Sequence, residues 1–354
     1  MIARADRNGY RVTVTGLGAC APERVLTNHD LARMVDTTDE WIVERTGIRE
    51  RRIAAPEEAL SDLCLPAARQ ALARAGADAS TVDLIIVATV TPDMAFPSTA
   101  AIIADQLGAR DAAAYDLSAG CTGFMYALAQ AHGMLAAGAA RRALIVGGDI
   151  LSRILDWEDR RTCIVFGDGA GAAMLERTGE RGFIGFELGA DGSGGSQLYL
   201  PAGGSRAPTS AETVAQRLHF VQMNGREVFK FATRILVSSA ESLLSACGRG
   251  VEDVDVYVPH QANQRIIEYA SKKLGVSDDR IVVNVDRFGN TSSGSIPLAL
   301  ADADAQGRLE PGKLVLMTGM GAGLTWGSSL IEWTASSARG DGRGHGEDGR
   351  DEVG

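Results

Sequence analysis

With 354 residues, 45% of them hydrophobic, the chain is long enough for two or three ordinary domains or one large two-lobed α/β body. It contains no run of about 18 apolar residues, which excludes a membrane-crossing helix. A formal net charge of −10 argues against nucleic acid as the main partner, and five scattered cysteines show neither disulfide nor metal spacing.

In chain order, the opening MIARADRNGYRV lacks the apolar core of a signal peptide, so a cytosolic location is expected. Residues 61–75 (SDLCLPAARQALARA) read as an amphipathic helix, leading through Asp83 to the buried strand LIIVA, residues 84–88. Residues 112–117 (AAAYDL) end as a buried strand would. A turn of small residues, Ser118-Ala119-Gly120, follows, and a helical run begins at Thr122. Cys121 stands at that junction, with its sulfur at a helix N-terminus. Unpaired backbone N–H groups and the helix dipole there favour the thiolate, the nucleophilic form. A buried cysteine serving as a small hydrophobe fits the same position, and Cys121 alone does not choose between the two. Another apolar strand, residues 143–148, runs into glycines.

The same order then returns. A helix over 238–247 leads through Asp255 to a strand over 256–258. A strand–turn–helix corner (NVDRFGNTSSGSIPLAL) surrounds Asn290, and a last apolar strand over 314–319 again ends in glycine. Order and spacing match together, which predicts two copies of one α/β unit, residues 10–180 and 181–334, with the seam near Arg177–Gly182. The corners carrying Cys121 and Asn290 are then expected to meet at a pseudo-symmetric centre. The remaining 335–354, rich in glycine and charge, are expected to be a disordered tail with His345 solvated.

His260 follows the 256–258 strand in VPHQANQRII, at a strand's C-terminal end, where open α/β sheets place ligands. A lone histidine or a turn asparagine is ordinarily structural. A thiolate, a histidine and an amide donor together suggest thioester chemistry instead. The cysteine would hold an acyl group, while neutral His Nε2–H and the Asn NH₂ would aim two protons at the enolate oxygen of a decarboxylating second substrate. Papain-like hydrolysis also uses Cys, His and Asn, but there the asparagine orients the histidine, and the CGSCW-type surroundings are absent.

Four segments carry a family resemblance: VDTTDEWIVERTGIRERRI (35–53), FGDGAGAAML (166–175), VPHQANQRII (258–267) and FGNTSSGSIPLAL (288–300). Through them the chain resembles the β-ketoacyl-acyl carrier protein synthase III family, condensing enzymes of the thiolase superfamily, from about Tyr10 to Trp333. The resemblance implies a five-layer αβαβα fold, a homodimer, no metal and no cofactor, with a coenzyme A (CoA) thioester as substrate. It implies Cys121 as the acylated nucleophile, with His260 and Asn290 as the decarboxylation pair. The N–H of Cys121 and one from the loop Gly321-Ala322-Gly323 would form the oxyanion hole, although Ala322 stands where the family usually has glycine. Trp41 and Arg160 resemble the pair that stacks adenine. Thr37, Arg45, Gly225, Phe229 and Asn263 match the pantetheine and phosphate channel, and Phe96 resembles the residue that closes the acyl pocket across the dimer. Leu324 and Met320 stand where bulkier aromatic residues are common, which suggests a roomier acyl site.

Charge spacing points to the partner. Arg265, Lys272 and Lys273 share a face of one predicted helix, and Lys230 and Arg234 are spaced i, i+4 on another. A basic face on an acidic protein suits docking of an acidic acyl carrier protein. Rivals of the same fold fit less well. A chalcone-synthase-like enzyme carries a GFGPG loop where this chain has MGAGL, and elongating ketosynthases have a second histidine in place of Asn290. Thiolases place a cysteine near the C-terminal loop, yet none follows Cys247, and no corner offers the glutamate base of a 3-hydroxy-3-methylglutaryl-CoA synthase. A polyketide-pathway acyltransferase of the same fold, which moves acyl groups without condensing them, is the alternative. An inactive carrier-protein-binding relative is a further rival.

Overall fold

The computed structural model describes residues 1–4, 11–178 and 181–335; the predicted tail from residue 336, with His345, lies outside the described residues. Ten strands build two sheets: β1 (Ile2–Arg4), β2 (Arg11–Cys20), β3 (Leu84–Ala88), β4 (Ala113–Leu117), β5 (Arg142–Asp149), β6 (Gly169–Thr178), β7 (Phe183–Ala190), β8 (Val256–Pro259), β9 (Leu314–Gly321) and β10 (Thr325–Glu332). The helices that matter to the site are α1 (Asp39–Thr46), α2 (Leu60–Ala75), α3 (Thr99–Leu107), α4 (Gly123–Ala136), α5 (Gly225–Ala246), α6 (Gln264–Leu274) and α7 (Ser295–Ala305).

One sheet has the order β2-β6-β5-β3-β4 and the other β1-β7-β10-β9-β8. In the first, β3 runs parallel to β4 and β5, while β6 is antiparallel to β5 and β2. The second repeats this with β8 parallel to β9, then β10 and β7 antiparallel in turn. Strand for strand, β2, β6, β5 and β3 answer to β7, β10, β9 and β8. The duplicated layout expected from the sequence is therefore present. The uninterrupted apolar run of β3 is buried along its length, as a parallel strand covered on both faces must be.

Five layers follow. Helices α2 and α3 cover the outer face of the first sheet, and α5 covers that of the second, with Ile267 and Leu274 of α6 joining the cluster around Tyr257 and Leu316. Between the sheets lie α4 and α7, each touching strands of both. The main core sits here, where Phe124, Leu128 and Ile296 pack against Ile86, Val258, Met317 and Ile331.

Three features depart from the sequence reading. Helix α5 extends over Gly225–Ala246, well ahead of the predicted start at Ser238. No strand precedes Asn290: a single helical turn, Val285–Phe288, stands there, and the sheet edge is met only by one bridge between Tyr257 and Ile281. The Gln261 side chain explains the change, because its Oε1 accepts the N–H groups of Asn284 and Val285 and so removes two donors from any ladder. Third, β1 pairs with β7 and joins the second sheet, although it comes first in the chain.

Candidate active site

Cys121 lies in a 3₁₀ turn, Gly120–Thr122, between β4 and α4, and is 7% exposed. The thiol is not poised as a thiolate, contrary to the expectation from the helix N-terminus. Burial pushes its pKa up to about 11, with a smaller push from the Asp149 charge, against hydrogen bonds from Ser292 and Asn290 that pull it down. Asp149 is a fully buried carboxylate at the end of β5 that accepts from Thr89, Val90, Thr91 and Ser293.

The turn from Asn290 to Ser295 approaches Cys121 from the other half of the chain. Asn290 is held by its backbone, its N–H donating to Val165 O at 2.9 Å and its carbonyl accepting from Gly167 N–H at 3.0 Å. Its Oδ1 accepts the Ser292 N–H at 2.9 Å, which leaves the Nδ2 group free to donate elsewhere. His260 follows β8, anchored by its N–H on Thr318 O at 2.8 Å. The ring's Nδ1 lies 2.8 Å from Ser295 Oγ, while its buried Nε2 has no partner among the described residues. Burial lowers the His260 pKa to about 3, so the ring is neutral at any ordinary pH. One turn thus touches the cysteine through Asn290 and Ser292, and the histidine through Ser295.

The hairpin between β9 and β10 closes the site from a third side. Its backbone comes so near the Cys121 turn that a Cβ on Gly120 would sit 2.9 Å from Ala322 N, and one on Gly321 would sit 2.7 Å from Cys121 N. The N–H groups of Cys121 and Ala322 therefore belong to one small volume. Thr122 donates to Thr325 at 2.8 Å, tying the two loops together. Beside the sulfur opens a cavity of about 180 Å³, walled by Leu151, Ile154, Leu155, Phe166 and Val221, with Ala322 and Ser292 at the reacting end. Leu324 is not in this wall. It packs on Phe231 and Met320 and faces a separate groove with Lys230 and Arg234, so its predicted place in the acyl pocket is not where the chain puts it. In the single chain Phe96 is 84% exposed.

Several of the other predicted residues touch one another. Trp41 carries the Arg45 guanidinium 4.5 Å and the Arg160 guanidinium 5.1 Å from its ring centre, and Arg160 also donates to Asp36 O at 2.6 Å. Thr37 Oγ1 is buried without a partner among the described residues. Asn263 caps α6 by accepting the Arg265 N–H, and its Nδ2 donates to Arg45 O at 3.0 Å. Gly225 begins α5, and Phe229 lies 5.8 Å beneath Arg265. Arg265, Lys272 and Lys273 are exposed on α6, as Arg234 is on α5, whereas Lys230 already pairs with Glu227 at 2.7 Å. The sequence reading missed Asp149, Ser292, Ser293 and Ser295. Their signal was the hydroxyl-rich run TSSGS inside an apolar corner, since buried hydroxyls need partners.

Residues 115–192 match the family described as 3-Oxoacyl-[acyl-carrier-protein (ACP)] synthase III, and residues 244–333 match its C-terminal region. A β-ketoacyl-[acyl-carrier-protein] synthase III from Symbiobacterium thermophilum is 55% identical, covering 91% of this chain and 98% of that protein. One from Desulfitobacterium hafniense is 53% identical with the same coverage. The chain belongs to the β-ketoacyl-ACP synthase III family. The solved synthase III of Thermus thermophilus, 46% identical, superposes with a TM-score of 0.85 over 92% of this chain and all of that one. Among the described residues of this synthase III family member, no helix is long and apolar enough to cross a membrane.

Proposed function

We propose that the chain joins an acyl-CoA primer to malonyl-ACP, giving 3-ketoacyl-ACP, CoA and carbon dioxide, at the start of fatty acid synthesis. The observation that carries this reading is a buried cysteine at the end of an apolar cavity, met by an unpartnered His260 Nε2 and an oriented Asn290 amide. In the first half-reaction Cys121 Sγ attacks the thioester carbonyl, the carbon–sulfur bond to CoA breaks, and the cysteine's proton leaves with CoA as its thiol. The N–H groups of Cys121 and Ala322 take the charge that forms on oxygen. The acyl chain then lies in the Leu151–Ile154–Phe166 cavity.

In the second half-reaction the malonyl carboxylate leaves as carbon dioxide, and the bonding pair passes into the thioester as an enolate. His260 Nε2–H and Asn290 Nδ2–H stabilise its oxygen. The enolate carbon attacks the acyl carbonyl, and the Cys121 thiolate leaves and is reprotonated. Trp41 and Arg160 would hold adenine, with Thr37, Arg45, Gly225, Phe229 and Asn263 along the arm; the basic faces of α5 and α6 would receive the acidic carrier protein. A homodimer completes the proposal. Val90, Met94 and Phe96 expose apolar surface on one loop beside β4, a sheet-edge strand that a second copy would cover. Both substrates place the enzyme in the cytosol.

Incubation with acyl-CoA and malonyl-ACP tests the reading. It should yield 3-ketoacyl-ACP with release of carbon dioxide, and an acyl adduct on the wild-type protein that Cys121→Ala lacks in intact-mass spectra. Acyl transfer without carbon dioxide would point to the acyltransferase instead, and an adduct on Cys121→Ala would displace the nucleophile assignment.

A further inference from the structure

We propose that Ser295 is a positioning residue that holds the His260 ring in the tautomer carrying its proton on Nε2. The inference rests on the condensing reading above and explains how one of its two donors is set. A serine hydroxyl offers one proton and two lone pairs. The Gln261 backbone N–H donates to Ser295 Oγ at 2.7 Å, and a backbone N–H can only donate, so one lone pair is taken. The only other hydrogen bond described for this oxygen is to His260 Nδ1 at 2.8 Å. If Nδ1 carried the ring proton, both contacts would end on lone pairs and the buried hydroxyl proton would have no acceptor. If the hydroxyl proton points to Nδ1, both contacts of the serine oxygen are satisfied, and the ring's single proton sits on Nε2, the nitrogen left open at the site.

The donor that fixes this direction is itself fixed. Gln261 is 1% exposed, and its Nε2 donates to Pro259 O at 2.8 Å and Val282 O at 3.0 Å. Its Oε1 accepts from the N–H groups of Asn284 and Val285 at 2.9 and 3.2 Å. The strut therefore ties β8 to the segment that enters the Asn290 turn, and it cannot swing to offer Ser295 anything but its backbone N–H. The same turn orients the partner donor, since Ser292 N–H occupies Asn290 Oδ1 and leaves Nδ2 outward. Two serines three residues apart thus set which proton each catalytic side chain presents. Burial keeps the ring neutral, with its pKa near 3, so a tautomer has to be chosen in the first place. The opposite tautomer would turn a lone pair toward a developing enolate charge, and the pair would lose one donor.

The test compares the two half-reactions in the full-length enzyme. Ser295→Ala should lower the rate of decarboxylative condensation relative to Cys121 acylation by roughly 100-fold, the scale of losing one oxyanion donor. The loss should fall in kcat rather than in KM for malonyl-ACP, and Ser295→Thr, which keeps the hydroxyl, should restore most of it. Nitrogen NMR of the wild-type protein labelled at histidine, assigned against His260→Ala, should show Nδ1 unprotonated and Nε2 protonated between pH 5 and 8. Wild-type condensation in Ser295→Ala, or a proton on Nδ1 in the wild-type spectrum, would overturn the proposal. Should Ser295→Ala fail to fold, the wild-type spectrum decides alone. A wild-type enzyme that releases no carbon dioxide would sink the condensing reading instead, and the same spectrum would still decide the tautomer.

Discussion

Burial holds the Cys121 thiol protonated at neutral pH. With its pKa near 11 because of burial, the thiolate fraction of the free enzyme rises about tenfold per pH unit through the neutral range. Single-turnover acylation by acyl-CoA should therefore climb from pH 6 to 9 without a plateau, followed by rapid quench and intact-mass detection. The second half-reaction should behave differently. His260, lowered to about 3 by burial, stays neutral throughout, so condensation from preformed acyl-enzyme should show no inflection between pH 5 and 9. His260→Ala and Asn290→Ala should each still form the acyl adduct while condensing roughly 10² to 10³ times more slowly. An adduct lost together with condensation would mean that these side chains serve the first step as well.

At the scale of elements, the site depends on how closely the Asn290 turn sits on the end of β5. A Cβ on Gly147 would stand 2.3 Å from the Ser293 carbonyl oxygen, a backbone atom that cannot swivel aside. Gly147→Ala should therefore displace the turn, cost about 1–3 kcal/mol in denaturant unfolding, and slow condensation. Ser293 makes the displacement costly, since its Oγ lies 2.7 Å from both Ala88 O and Asp149 Oδ2, its single proton bridging the ends of β3 and β5. Helix α6 offers a separate test. Replacing Arg265 and Lys273 together by Glu should raise KM for malonyl-ACP severalfold and leave KM for acyl-CoA unchanged, because exposed charges steer association more than they hold a bound ligand. Equal changes in both constants would remove the docking assignment. The amphipathic period of α2 and the apolar runs of β3, β5 and β9 were legible because each is decided by neighbours a few residues away. The missing strand before Asn290 was not legible, because Gln261, more than twenty residues earlier, takes its donors.

Across the whole molecule, two buried histidines resist taking up a proton. His132 on α4 packs against Phe183 and Phe186 of β7, with ring centres 5.9 and 5.2 Å away, and burial lowers its pKa to about 4. For both His132 and His260 the folded pKa lies below the ordinary value near 6.5. Above that value both states are neutral and nothing is lost. Below it the unfolded chain binds protons that the folded chain refuses, so stability falls as pH drops toward 4, by about 1.4 kcal/mol per unit for each group. Urea unfolding should show a smaller loss between pH 7 and 5 for His132→Leu than for wild type, by about 2 kcal/mol. An unchanged loss would mean that His132 is protonated in the folded state.

By itself the sequence determined the alternation of strands and helices, their duplication, and the placing of Cys121, His260 and Asn290 at turns. Periodicity and turn chemistry act over a few residues, so short stretches of chain suffice to express them. Only the tertiary structure decided that β1 crosses to the second sheet, that α5 begins at Gly225, and that Leu324 lines a groove other than the Cys121 cavity. It also decided that the thiol is raised rather than lowered, and which hydroxyl turns toward His260. These outcomes depend on burial and on hydrogen bonds between groups far apart in the chain, which arise only once both halves have closed around the site.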